Sequence, residues 1–563
     1  MIGFTTQPTH SQSDSTAAGK AYLEIGLNYL NNQDLDSARI YFEKALPIAR
    51  QQADTELLGD LCIRLGQVYR RRGDPMKANN LITEAIAQYE NKFGSSHTKI
   101  AAGYNDLSIV QNSLGDIEAS GKSLIKALSI REKLLGRRSI EYGMVLNNLA
   151  LHYLEMDQLD QAIKAAKETV QIFARAEYPD QRFHVSSYNT LAKALDRAGK
   201  LREAEENYLK AIELHEKYFP GNSRIRFYLL DLGRNAMAQG EYQEAVVHFH
   251  HAMSATIAYI DPDSINQNPL SDDPSNYLSL RSLCLLKGSA LHKLYSQSRD
   301  TTDLLKAIAL YNLADLFATK NRVEVQYQRS REAFSRQNLS LYEGAILAHI
   351  DMWEETGREE FLEKSFLLNE KSKSLTLLQN LLDANALRTS GIPPLILQQE
   401  ERLQDSLALL RNALQAEKDP ANIESLKTEI RRLDLRYEEF KKSLEKNYVQ
   451  YYQSKYNFKF KTLKEIQRQL QSDQSIMEFF VGDDYLFVYT INSESFRCHK
   501  AVKSDSLTLF ISGLIESLRR FDPSLPLGSE ETQEALDIYT DLASKLYQLI
   551  WMPFAEDLKK EVM

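Results

Sequence analysis

Cysteine is nearly missing: three residues in 563 (Cys62, Cys284 and Cys498), far apart and odd in number. They cannot build a disulfide framework or a thiolate metal cluster, so a reducing compartment is expected. Proline (14) and glycine (23) are scarce, which disfavours an all-β chain with many tight turns. No apolar run approaches the roughly 18 residues of a membrane-spanning helix. The N-terminal MIGFTTQPTHSQSDSTAAGK has neither a basic nor an apolar signal region, so it reads as a short polar tail and the cytoplasm is the expected compartment. An excess of basic charge is also lacking. The 68 Lys and Arg against 77 Asp and Glu leave a net charge of -9, with no global pull toward nucleic acid or anionic membrane. What is present, 43% apolar and 26% charged residues, excludes wholesale disorder and collagen-like sequence. At roughly 150 residues per domain the length predicts three or four units, fewer if repeats merge them.

The strongest positive signal is a repeat. A small residue is followed by Ala about twelve positions later, a large apolar residue four further on, and Ala three after that. The units read Gly26, Ala38, Phe42, Ala45; Gly66, Ala78, Ile82, Ala85; Ser108, Ser120, Leu124, Ala127; Ala150, Ala162, Ala166, Thr169; Ala192, Ala204, Tyr208, Ala211; and Gly233, Ala245, Phe249, Ala252. Their leading positions are 40–42 apart. Small residues let two antiparallel helices approach closely, and the large residue plugs the gap between hairpins. Gly73, Gly115, Gly199 and Gly240 stand where the first helix must stop. Asp74-Pro75 then supplies N-cap and N1 for the second helix. One hairpin cannot bury its apolar faces alone, so the units must stack.

This pattern resembles the tetratricopeptide repeat family in its long form of about 42 residues, over residues 18–256. The resemblance implies six hairpins in a right-handed α-solenoid.

Beyond a 1–17 tail and the repeats, a Pro-, Asp- and Ser-rich stretch at 257–276 reads as a loop. Residues 277–385 carry degenerate helical repeats, beginning with a seventh unit (Gly288, Ala307, Tyr311, Ala314) with a longer internal loop. In 386–470, Leu403, Leu407, Leu410 and Leu414, then Ile423, Leu426, Ile430, Leu433, Tyr437, Phe440 and Leu444, form heptad stripes that predict an antiparallel helical hairpin turning at Pro420. In 471–563 the period changes. SIMEFFVGDDYLFVYTINSESFRCHKAV contains two or three strand runs separated by Gly482-Asp483-Asp484 and Asn492-Ser493-Glu494. Two helical patterns follow.

The order of Glu370-Lys371-Ser372-Lys373, the Gly391-Ile392-Pro393 break, the hairpin and the Gly-Asp-Asp turn is similar to that of bacterial repeat proteins ending in a CHAT domain, which is caspase-related. The resemblance spans residues 340–563 and implies a parallel sheet that continues further, with the catalytic His and Cys in later segments. The expectation is therefore a mainly α chain with an incomplete α/β, caspase-like C-terminal domain that does not cut peptide bonds.

Few residues carry chemistry. Cys498 and His499 are adjacent, but neighbours on a strand point to opposite faces, so they do not make a nucleophile and base. Asp116–Ser123 mimics a phosphate loop yet follows no strand. Glu244, His248 and His251 share a helix face that could hold a metal, but their neighbours Ala245, Phe249 and Ala252 take the packing positions, so an exposed polar face is the reading and no metal is expected. No cofactor is expected. Asn105, Asn147 and Asn189 stand 42 apart, three residues before the small position. In the resembled repeats this register lines the concave face, where amides could grip a peptide backbone. Lys193, Arg197 and Arg234, with Arg70 and Arg71, could add positive charge for acidic partners, or be an ordinary solvated face. The reading is a scaffold or sensor that binds a protein or peptide on its concave surface. In the resembled architecture it would regulate a caspase-like cysteine protease. The alternatives are a stand-alone repeat scaffold and a cysteine endopeptidase.

Overall fold

The computed structural model describes residues 10–31, 34–176, 181–271, 277–322, 328–384, 392–416, 420–449, 451–452, 461–503, 505–520 and 530–552. The expected first residues of the tail (1–9), the heptad turn at 417–419 and the 385–391 break lie outside them. The chain divides into two compact units, Met1–Gly240 and Glu241–Met563.

The first unit holds α1 (His10–Asn31), α2 (Leu35–Gln51), α3 (Thr55–Arg71), α4 (Pro75–Phe93), α5 (Thr98–Leu114), α6 (Ile117–Leu135), α7 (Ile140–Glu155), α8 (Leu159–Arg175), α9 (Gln181–Arg197), α10 (Leu201–Tyr218) and α11 (Ile225–Gln239). The helix at His10 takes in eight residues expected as tail. Consecutive helices pack as hairpins, and α3 also touches α1 and α5, while α9 touches α7 and α11. The odd-numbered helices thus form one layer and the even-numbered ones another. The small–large rule is visible in atoms. A Cβ on Gly26 would lie 2.4 Å from Phe42 Cε1, and one on Gly66 2.6 Å from Ile82 Cγ1. Phe42, Ala38 and Ala45 are fully buried. In the fourth hairpin Thr169 replaces the last Ala, and its hydroxyl donates to the Ala165 carbonyl at 2.8 Å, which lets it stay buried.

Caps repeat with the helices. Asp34, Asp54, Asp74 and Asp116 each accept a backbone N–H three residues on, at 3.0–3.1 Å. Gly115 ends α5 in the left-handed region at φ 80°. The fourth repeat lacks that glycine, and Asp157 takes the left-handed conformation instead at φ 56°, as a short polar side chain can.

In the second unit α12 (Tyr242–Ser254) precedes the helix-free stretch 257–271. Then come α13 (Tyr277–Ser298), α14 (Thr301–Arg322), α15 (Gln328–Thr356) and α16 (Glu359–Ala384), followed by α17 (Pro394–Ala416), α18 (Pro420–Asn447) and the short α19 (Leu463–Gln467). The seventh unit's small–large register is present, with Ala307 and Ala314 fully buried and Tyr311 near Gly288. Its internal loop is not long, however. Only two residues separate α13 from α14, because the helices themselves are extended to 22 residues each. The heptad residues of α17 and α18 pack together around Leu407, Ile430 and Tyr437, with Gln404 donating to the Tyr437 hydroxyl at 2.7 Å.

Strands β1 (Ser475–Val481), β2 (Tyr485–Asn492) and β3 (Phe496–Val502) form an antiparallel meander in that order, turning at the expected Gly482-Asp483-Asp484 and Asn492-Ser493-Glu494 breaks. Each face has its own cover. Tyr489 and Phe496 meet Phe366 of α16, and Lys500 donates to Asp351 of α15 at 2.9 Å. On the opposite face Leu486 and Val488 pack with Leu507 of α20 (Asp505–Arg520) and Leu546 of α21 (Glu530–Leu546). Glu343 of α15 adds a lock: its buried carboxylate accepts the backbone N–H groups of Asp483 (2.8 Å), Asp484 (2.8 Å) and Tyr485 (2.7 Å).

Candidate functional site

The odd-numbered helices of the first unit carry the residues expected to meet a partner. Asn105 of α5 is half-buried, and its Oδ1 accepts from Asn148 Nδ2 of α7 at 2.8 Å. It is therefore in part a strut between repeats. Asn147 is 3% exposed, set among buried Leu146, Leu149 and Ala150, with no hydrogen-bond partner for its Oδ1. Asn189 is half-buried and its Oδ1 is likewise buried and unpartnered. The equal spacing holds, but one member of the ladder points into the packing.

The three basic residues expected to offer free charge are engaged within the unit. Lys193 pairs with Asp231 at 2.9 Å, and Arg234 with the same carboxylate at 3.2 Å. Arg197 donates to the Leu154 carbonyl at 3.0 Å and to Asp157 at 2.8 Å. Lys193 and Arg197 thus spend their charge on adjoining repeats, and Arg234 on its own helix.

A different cluster carries unpaired charge. Asp106 of α5 accepts from Gln67 of α3 at 2.8 Å, and Gln67 in turn accepts from Arg64 at 3.1 Å. Burial raises the Asp106 carboxyl against the pull of Arg64, Arg70 and Arg131 nearby. Arg71 is lowered first by burial and then by Arg70 and Arg224, so like charges converge there. Burial also lowers Arg131, whose Nε is enclosed and unpartnered. Sequence reading named Arg70 and Arg71 but missed Arg131 and Arg224, which lie outside the small–large frame.

The remaining candidates resolve as structural. Cys498 and His499 do lie on opposite faces of β3, facing Tyr489 and Val488 respectively. Burial pushes the Cys498 thiol up to about 12, which removes the thiolate. Asp116 caps α6 and Gly121 lies inside that helix, where a Cβ would meet His152 Nε2 at 2.5 Å, so this segment is no phosphate loop. Among the described residues no group of three His, Cys, Asp or Glu could hold a metal, and no helix is long and apolar enough to cross a membrane. In the second unit Lys287, 1% exposed, lines a cavity of about 60 Å³. Burial lowers it to about 8. Its Nζ donates to the carbonyls of Ile265 (2.6 Å) and Gln267 (3.2 Å) and to His250 Nδ1 (3.1 Å). With its donors used, it serves as a tie for the 257–271 stretch.

Comparison with known proteins agrees with the repeat register. A family model described as tetratricopeptide repeat matches residues 17–91, 99–175 and 143–217, so the first unit carries tetratricopeptide repeats. Among curated relatives, the Arabidopsis thaliana kinesin light chain-related protein 3 is 23% identical over 224 residues, 32% of this chain and 34% of its own length. A clustered mitochondria protein homologue of Aspergillus niger is 20% identical over 225 residues, 39% of this chain and 18% of its own. The chain thus spans about a third or less of these relatives. Among solved structures, BtubC (BKLC) from P. vanneervenii has 18% identity and a TM-score of 0.36, covering 42% of this chain and 95% of that one. A tetratricopeptide repeat protein of Parabacteroides merdae has 14% identity and a TM-score of 0.34, covering 54% and 99%.

Proposed function

We propose that this chain, whose first unit carries tetratricopeptide repeats, is an interaction scaffold that takes an extended segment of a partner protein along its odd-numbered helices. The observation that carries the reading is the group of arginines around Asp106. Arg70, Arg71 and Arg131 act on one carboxylate and Arg224 crowds Arg71, with no ion pair between any of the four and an acid among the described residues. Partly desolvated like charges cost stability, and such arrangements concentrate where a ligand supplies the missing charge. Asn105, next to Asp106 in sequence, and Asn189 stand one repeat spacing on either side of Asn147, and their amides could hydrogen-bond a backbone.

Capture of a partner by the full chain, followed by affinity measurements on Arg71→Ala, Asn105→Ala and Asn189→Ala, tests the reading. At about 0.5–1.5 kcal/mol per hydrogen bond, several-fold to roughly tenfold losses are expected. Unchanged affinity with a lowered melting temperature would make these residues struts only.

The finer part of the proposal is that partner binding to the repeats governs a caspase-like cysteine protease. The likeness of residues 340–563 to the repeat-plus-CHAT arrangement supports it. A second reading, a repeat scaffold with no protease part, is favoured by the three-stranded meander being covered on both faces by helices of its own unit.

A further inference from the structure

Helix α8 carries an unusual surface for a chain of net charge -9. A cleft of about 900 Å³ runs along it, from Asp160 near its start to Arg175 and Ala176 at its end. Besides Arg137, five cations line it: Lys164, Lys167 and Arg175 of α8, Arg138 from the α6–α7 connection, and Lys200 from the α9–α10 connection. All five are exposed. None takes part in an ion pair or side-chain hydrogen bond among the described residues, whereas their neighbour Arg137 already pairs with Glu132 at 3.1 Å. Two acids, Asp160 and Glu168, share the cleft and leave it clearly positive.

The buried side of α8 explains the shape. Ala162, Ala165, Ala166 and Thr169 bring the helix close to its neighbours, while the connections before α7 and before α10 stand out at either end. The floor is therefore recessed, with Ile163 and Ile172 at its base. A 17-residue helix is about 25 Å long, the span of about eight residues of extended peptide.

We propose that this cleft is a second docking surface, separate from the odd-numbered helices, and that its occupant is an acidic stretch of a partner protein's chain. Charge complementarity selects the partner. Unpaired cations spread along a recess match carboxylates spaced along a strand, and the aliphatic stems of Lys164 and Lys167 with Ile163 and Ile172 receive its apolar side chains. A recess of this form suits a narrow chain better than a flat bilayer. No residue is shared with the arginine group around Asp106, so either surface can fail alone.

The test uses the full chain and a fluorescein-labelled Glu/Leu peptide of about eight residues, with the Gln/Leu peptide as neutral control. Anisotropy should show saturable binding of the acidic peptide that weakens as salt rises, and little binding of the control. The double charge reversal Lys164→Glu with Lys167→Glu should weaken binding roughly tenfold or more, since two contacts become repulsions. Both side chains are exposed, so the fold should persist, and unchanged circular dichroism checks that. Reversal of Lys210, exposed-side and paired with Glu213, should change nothing. Equal binding of both peptides, or a reversal that leaves affinity intact, would overturn the proposal. So would tight association with phosphatidylserine vesicles that the peptide cannot displace, which would make the cleft a membrane contact.

Discussion

Replacing Gly482 by alanine should loosen the sheet through a residue 139 positions away. A Cβ there would lie 2.2 Å from Glu343 Oε1 and 2.4 Å from its Cδ. The far end of a glutamate usually swings aside at little cost, but this one is held by three backbone N–H groups at 2.7–2.8 Å. Hydrogen bonds to a charged group contribute about 1.5–3 kcal/mol each. Asp483 and Asp484 are exposed and can turn to water, so the loss should be nearer one full bond than three, about 2–4 kcal/mol. Because the chain has two units, a single global unfolding energy is ill-defined. Hydrogen exchange of the β2 amides between Leu486 and Ile491 reads the local opening instead. Gly482→Ala should speed their exchange by roughly 30-fold or more, as about 2 kcal/mol implies. Glu343→Ala should do about the same. The double variant should be little worse than either single one, since alanine at 482 has nothing to strike once the carboxylate is gone. Additive effects, or wild-type protection in Gly482→Ala, would refute the argument.

Gly66→Ala should destabilise the first unit by about 1–3 kcal/mol in thermal unfolding, because its Cβ would meet Ile82 Cγ1 at 2.6 Å in a closed hairpin. Phe42→Ala, at a fully buried plug, should cost about 3–5 kcal/mol in the same measurement. Burial lowers His349 to about 4 from an ordinary 6.5. Its neutral form is favoured in the fold, so the stability it contributes is complete above pH 6.5 and is lost as pH falls toward 4, by about 3 kcal/mol. Denaturation curves of His349→Gln should lack that part of the pH dependence. Cys62, Cys284 and Cys498 are all raised to about 12 by burial, so an aromatic disulfide reagent at neutral pH should find no fast-reacting thiol until the protein unfolds.

The repeat register was legible because each hairpin solves its packing within about 42 residues, and Gly66 with Ile82 or Ala150 with Ala166 is a local solution. The charged residues were less legible for the converse reason. Whether Lys193 is available depends on Asp231 in the next repeat, which Arg234 shares from its own helix, and nothing in the small–large frame marks that acid. Asn147 reads as a groove residue by its spacing, yet helical geometry places it among Leu146, Leu149 and Ala150, which are all buried. The α8 cleft had a trace in sequence: Arg137-Arg138 followed by Lys164, Lys167 and Arg175. That trace has no meaning until the loop and helix are side by side. Glu343 gave least warning, since a single acid in a helix ordinarily faces water. The one hint was a Gly-Asp-Asp turn presenting three successive N–H groups.

The Glu343 lock also sets an order of events during synthesis. Every contact inside an early hairpin closes as soon as its second helix emerges. Glu343, by contrast, waits for partners 140 to 142 positions later, and Lys373 waits 105 for Glu478. At about 5–20 residues per second, the ribosome leaves the α15 carboxylate without its turn for roughly 7–28 s. Through that interval α15 and α16 expose the apolar face that the sheet later covers, while α1 to α11 can already be folded. The second unit is thus the stretch of the nascent chain on which a chaperone would have most time to act.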